Sequence, residues 1–143
     1  MDVKQTAIEL FNGTWDLIDL PQRTAEQDAE MLTKAHTSSY LWGLVEDAKP
    51  VNRARGLWQI SHVYSLLKQA DAALLYGDLS LGVCDENEIG GLDLAFGYEA
   101  VARGWAVKGD TAKAEDFKAK GLAVEIADEN DRKYVQGELN GFA

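Results

Sequence analysis

Apolar residues recur at three- and four-residue steps along nearly the whole chain, the spacing that lays one stripe down an α-helix. Val3, Ala7, Phe11, Thr14, Trp15 and Ile18 share one face of a first helix over residues 3–19, which Asp19-Leu20-Pro21 stops. Thr24 followed by Gln27 has the form of a capping box, a hydroxyl at the N-cap answered by an amide three residues on. It predicts a long second helix to about Asp47 with the stripe Ala25, Ala29, Leu32, Ala35, His36, Ser39, Tyr40 and Gly43. Lys49-Pro50 ends it, because the residue before proline avoids the α region.

The pattern restarts at Val51. Ala54, Leu57, Trp58, Ser61, Tyr64 and Leu67, widened by Ile60 and Val63, describe a third helix apolar around most of its girth and hence sandwiched between neighbours. A turn at Lys68-Gln69-Ala70-Asp71 leads to a fourth helix carrying Ala73, Leu74, Tyr76, Leu79, Ser80 and Val83. Residues 85–91 form the longest predicted loop. A fifth helix carries Leu94, Ala95, Tyr98, Val101, Ala102 and Trp105, Gly109-Asp110 turns it, and a sixth carries Ala114, Phe117, Gly121, Leu122 and Ile126. A last helix opens at Asp128 and uses Tyr134, Val135 and Leu139, with Phe142 folding back on the core. No run of alternating β-branched residues competes, so the expected class is all-α, with about seven helices.

Helices three and four fall on helices five and six when the sequence is shifted by 41 residues. Leu57 then meets Tyr98, Ser61 meets Ala102, Tyr64 meets Trp105 and Ala73 meets Ala114, large matching large and small matching small. Tyr76 meets Phe117, Ser80 meets Gly121 and Leu81 meets Leu122. In this spacing the chain resembles the tetratricopeptide repeat family: large, small and aromatic positions in one helix, a Gly-Asp turn, then alanine, aromatic and small positions in the next. Tyr98, Ala102, Trp105, Gly109-Asp110, Ala114 and Gly121 carry the resemblance in the second copy, with Lys118 at the usual aromatic place and Phe117 one residue earlier. Leu57, Ser61, Tyr64 and Ala73 carry it in the first, where Lys68-Gln69 replaces Gly-Asp.

The period of 41 residues exceeds the family's usual length of about 34. The whole chain also looks like small bacterial tetratricopeptide-like proteins with a helical N-terminal half. The resemblance implies antiparallel αα-hairpins in a right-handed superhelix: an N-terminal hairpin over 1–50, repeats over 51–86 and 92–126, and a capping helix over 128–143. It supplies a fold and no activity; on that fold the first helix of each pair lines a concave groove, and the expected function is a protein- or peptide-binding adaptor or regulatory module. Arg55, Trp58, His62 and Ser65 of the first copy and Phe96, Glu99, Arg103 and Ala106 of the second take those groove positions.

Composition narrows the partners. The chain has 143 residues, enough for one domain with a core, of which 46% are hydrophobic and 27% charged, within the globular range. A formal charge of −10 opposes phosphate backbones and anionic lipid, so neither nucleic acid nor a membrane surface is an expected partner. No apolar run approaches the roughly 20 residues of a transmembrane helix. MDVKQTAIELFNG lacks the basic start and apolar stretch of a signal peptide, so a cytoplasmic location is the expectation. Cys84 is the single cysteine, at the end of an apolar run, and reads as a buried thiol.

No catalytic motif stands out. A guanidinium offers a fork for carboxylates and an indole an anchoring surface, so Arg55, Trp58, His62, Glu99 and Arg103 form the candidate peptide-binding groove. The plainer reading makes Glu99 and Arg103 an i,i+4 helix pair. The two histidines give an alternative, a small-molecule or enzymatic pocket of His36, His62 and Glu99 with Tyr40 beside it. No HxH or HxxE spacing marks a metal site, and no cofactor is implied. Trp42, Leu44 and Val45 form a further apolar patch for a partner, or for a second copy in a homodimer.

Overall fold

The computed structural model describes residues 1–141, and the expected contribution of Phe142 lies outside them. Among the described residues there are seven helices and no strand: α1 Val3–Ile18, α2 Ala25–Trp42, α3 Pro50–Leu66, α4 Ala70–Glu86, α5 Gly91–Lys108, α6 Thr111–Leu122 and α7 Glu129–Asn140. The predicted caps at Thr24 and Asp128 form, and Asp2 and Asp110 cap two further helices. Asp2 accepts the Gln5 amide at 3.0 Å, and Thr24 and Gln27 close the reciprocal box at 3.1 and 2.9 Å. Asp110 accepts from Lys113 at 3.0 Å and Asp128 from Asp131 at 2.9 Å.

Neighbouring helices pack in sequence: α1 on α2, α3 on α4 and α5 on α6, with α2 on α3 and α4 on α5 joining the pairs. Short connections make each pair an antiparallel hairpin. Contact between α3 and α5, and of α7 with α5 and α6, completes the body. The sandwiched character predicted for α3 is real: Ala54, Leu57, Gln59, Ile60, Ser61, His62, Val63 and Ser65 are all buried. Three apolar clusters hold the layers. One joins α1, α2 and α3 through Leu17, Met31, Ala35, Ile60 and Val63. A second sets Ala54 and Leu57 on Val83 and Cys84, and a third sets Ala95 on Ile126, Val135 and Leu139. Burying one such Met, Ile or Leu side chain stabilises by about 2 kcal/mol.

Small residues let the layers close up. The Ser61 hydroxyl donates to the Ala73 carbonyl at 2.7 Å and the Ser80 hydroxyl to the Ala54 carbonyl at 2.9 Å, stitching α3 to α4. Gly77 of α4 lies against α5, where an added Cβ would stand 3.2 Å from the Val101 side chain and 3.3 Å from its backbone nitrogen. The two inter-helix turns repeat the same geometry 41 residues apart. Lys68 and Gly109 both take a positive φ, 61° and 91°. Lys68 bonds back to Ser65 and Gln69 to Tyr64, as Gly109 bonds to Ala106 and Asp110 to Trp105.

Four expectations are corrected. First, α2 ends at Trp42 rather than near Asp47: Gly43 bonds back to Ser39 and Tyr40, and of residues 43–47 only Val45 is even half-buried, so little would reward continuation. Second, α6 ends at Leu122 rather than Ile126. The chain leaves the helix so that Ile126 can pack with Ala95, Val135 and Leu139. Third, Tyr40 is 70% exposed, because the buried stripe of α2 runs through Met31, Ala35 and Ser38, the last bonding the Ala7 carbonyl at 2.8 Å. Fourth, Leu79 faces outward on α4.

Candidate functional site

Five helices border a cavity of about 310 Å³, α4 contributing only Ser80. Aromatic residues of their stripes supply most of its wall, with Tyr134 of α7 half in the open at its mouth. Trp15 of α1 lies 5.3 Å from Trp58 of α3, Trp58 lies 4.9 Å from Phe96 of α5, and Phe96 lies 5.8 Å from Tyr134 of α7, centroid to centroid. One ring from each of α1, α3, α5 and α7 thus forms a continuous arc, with Phe11 beside it. The cavity also meets Arg55 and Asp93, joined by a two-pronged ion pair from α3 to α5: Nε to Oδ1 at 2.8 Å and Nη2 to Oδ2 at 3.1 Å. Asp93 raises the already high pKa of the Arg55 guanidinium, against the smaller effect of burial.

Behind the arc lies a buried polar network. The Trp58 indole N–H donates to Glu99 Oε2 at 2.8 Å, and Arg103 Nε donates to Glu99 Oε1 at 2.7 Å. Arg103 also reaches Glu138 of α7 at 3.7 Å. Glu99 is 1% exposed, so burial pushes its carboxyl up from the usual carboxylate range. The Arg103 charge and the Trp58 and Arg103 donors pull the other way. Both oxygens accept from groups that hold their protons, so the anion is the form that fits.

His62 packs beside this network at 5.6 Å from Trp15 and 5.8 Å from Trp58. It is 8% exposed, and its Nδ1 has no hydrogen-bond partner among the described residues. Burial, reinforced by the Arg103 charge, depresses its pKa to about 3, so the imidazole is neutral.

The structure therefore brings Trp58, His62, Glu99 and Arg103 of the predicted groove into one place, with Arg55 at the rim. The groove is largely filled: Glu99 and His62 lie behind the rings, and the remaining space is the compact cavity. The pocket predicted from His36, His62 and Glu99 is not formed. His36 Nε2 lies 2.9 Å from the Tyr64 hydroxyl, and its ring packs on Tyr64 and Tyr76. His62 and Tyr64 are two residues apart on α3 and so project from different faces, which separates His36 from His62. Tyr40, in the open, joins neither.

Phe11, Trp15, Asp93 and Tyr134 were not among the predicted site residues. Asp93 lies on α5, the repeat counterpart of α3, but at no position the register matches to Arg55, and Tyr134 lies on α7, outside the repeat. A signal for part of the network was present, because Trp58 and Glu99 stand 41 residues apart at the same repeat position, where stacked α3 and α5 face each other. Cys84 is buried as expected, and its thiol is pushed up to about 11 by burial, aided by Asp93 and Asp85. Among the described residues no three His, Cys, Asp or Glu side chains are placed to hold a metal ion, and no helix is long and apolar enough to cross a membrane. The chain matches no protein-family model, no curated protein and no solved structure, so its function has to be read from the cavity's own chemistry.

Proposed function

We propose that the protein is a binding module of tetratricopeptide-like design, whose partner is a protein or peptide that inserts one apolar or aromatic group into the cavity between α1, α3, α5 and α7. The carrying observation is the cavity itself: about 310 Å³, walled by Trp15, Trp58, Phe96 and Tyr134, with a few polar groups at one edge. Ligand sites have this character, apolar walls with a small number of placed polar groups, and start near this size. Aromatic side chains around a central pocket are the usual anchors of interfaces. The tetratricopeptide-like reading is supported by the 41-residue register, which recurs in the turn geometry at Lys68 and Gly109 and in the small residues between helices.

A second reading, a small-molecule site, is favoured by one feature. Side chains of five helices line a half-open pocket of about 310 Å³, a volume that suits a small ligand. Both readings place the ligand against the same rings. Selection of displayed peptides on the native protein tests the first. Selected peptides should lose at least tenfold in affinity on Tyr134→Leu, a change at a residue 58% exposed and thus safe for the fold. Peptides that bind wild type and variant alike would place recognition elsewhere.

A further inference from the structure

The charge around the cavity points to a ligand more specific than an apolar anchor. Arg55 and Arg103 are the guanidiniums beside the cavity, while Asp93 lines it and Glu99 and Glu138 stand behind it on Arg103. Asp93 occupies Arg55 with both its oxygens, and Glu99 and Glu138 share Arg103, so neither cation leaves the site positive. Tyr134, at the mouth, reports the same field. Its hydroxyl pKa is raised by burial first, then by Glu138, Glu99 and Asp19, so a negative charge there is disfavoured. The chain as a whole carries −10.

The wall adds the second constraint. A ring face carries negative quadrupole density and attracts a cation that needs no hydrogen bonds, most strongly at tryptophan. A bare ammonium brings three N–H donors that need acceptors. Few acceptors border the cavity: Asp93 is held on Arg55 by both its oxygens, which leaves the Ser80 and Tyr134 hydroxyl oxygens in a wall that is otherwise mostly apolar. A fully methylated ammonium has no N–H to satisfy and presents methyl groups to apolar walls.

We propose that the aromatic arc of Trp15, Trp58, Phe96 and Tyr134 binds a quaternary ammonium group. The group can arrive as a free quaternary amine or as a trimethylated lysine of a partner protein. The proposal rests on the reading of this cavity as a binding site and specifies its ligand.

The test compares choline with 3,3-dimethylbutan-1-ol, the same shape with carbon in place of the charged nitrogen, by calorimetry on the intact protein. Choline is expected to bind at least roughly tenfold more tightly, and to weaken several-fold on Tyr134→Leu. A short peptide with one trimethyllysine is run beside its unmethylated form. Tighter binding of the methylated peptide than of choline assigns the source to a protein; choline binding as tightly as the peptide assigns it to a free amine. Equal affinity for choline and its neutral isostere overturns the cation proposal while leaving the cavity as a binding site. Choline binding untouched by Tyr134→Leu overturns the assignment to the arc. If choline, the isostere and both peptides all fail to bind, the cation proposal falls; a fragment or selected peptide that still binds the cavity would keep the underlying reading.

Discussion

Replacing His62 by phenylalanine should flatten the acid side of the stability profile. The imidazole is 8% exposed between Trp15 and Trp58, and its folded pKa is about 3 against an ordinary value of 6.5. Between these two pH values the unfolded chain binds a proton at His62 that the folded chain refuses, so stability must fall as pH falls. Its contribution is complete above about pH 6.5 and diminishes down to about pH 3. Each pH unit in that window costs about 1.4 kcal/mol, so about 3 kcal/mol is lost by pH 4.5. That is a large share of the 5–15 kcal/mol typical of a domain.

Urea unfolding followed by circular dichroism at pH 7 and pH 4.5 measures it. With a slope of about 2 kcal/mol per molar, the loss corresponds to a midpoint shift on the order of 1.5 M in wild type. His62→Phe should remove most of that shift while keeping a ring in the same space. Glu99 acts in the opposite sense: its folded pKa is raised, so its contribution is full below the unfolded value and diminishes as pH rises through the folded one. Comparing wild type and variant at each pH cancels it. A variant that loses as much stability as wild type between pH 7 and pH 4.5 refutes the argument that His62 is buried neutral.

Other substitutions probe the remaining supports. Glu99→Gln sets an amide N–H₂ against either the Trp58 indole or the Arg103 guanidinium, and should cost about 3 kcal/mol, read as a fall in Tm of roughly 10 °C; an unchanged Tm would contradict the network. Lys68→Gly relieves a side chain at φ 61° and should stabilise by about 1 kcal/mol in the same assay, with no gain refuting the turn assignment. Gly82→Ala, with nothing within 4 Å of the new methyl, should gain up to about 1 kcal/mol from helix propensity. Gly77→Ala on the same helix should lose about 1–3 kcal/mol, because its methyl meets the α5 backbone at 3.3–3.4 Å. Equal effects at the two glycines would refute the close approach of α4 to α5.

The helices were legible because each buries a stripe, and a buried stripe imposes the 3.6-residue period directly. Caps such as Thr24 with Gln27 were legible because their chemistry is local. The ends of α2 and α6 were not. Periodicity records which residues could share a face, whereas continuation past Gly43 or Leu122 depends on whether a neighbouring helix is there to receive it.

The site divides in the same way. Trp58, His62, Glu99 and Arg103 could be grouped because the repeat register aligns α3 with α5. Asp93 and Tyr134 could not, since the bridge from Arg55 and the closing of the arc by α7 depend on three-dimensional packing. His36 was drawn into a pocket with His62 by scarcity alone. The two project from separate faces of the assembly, and Tyr64 was the partner to look for.

The central claim is that the ring-lined cavity is where this protein binds. The indole N–H resonances of a ¹⁵N-labelled sample test it most directly. Trp15 and Trp58 border the cavity, whereas Trp105 does not and packs under Lys113 at 4.2 Å. In a titration with a fragment library that includes choline, binding hits should shift the Trp15 and Trp58 signals and leave Trp105 in place. Hits that gather on other resonances, or a library that moves neither Trp15 nor Trp58, would contradict the account.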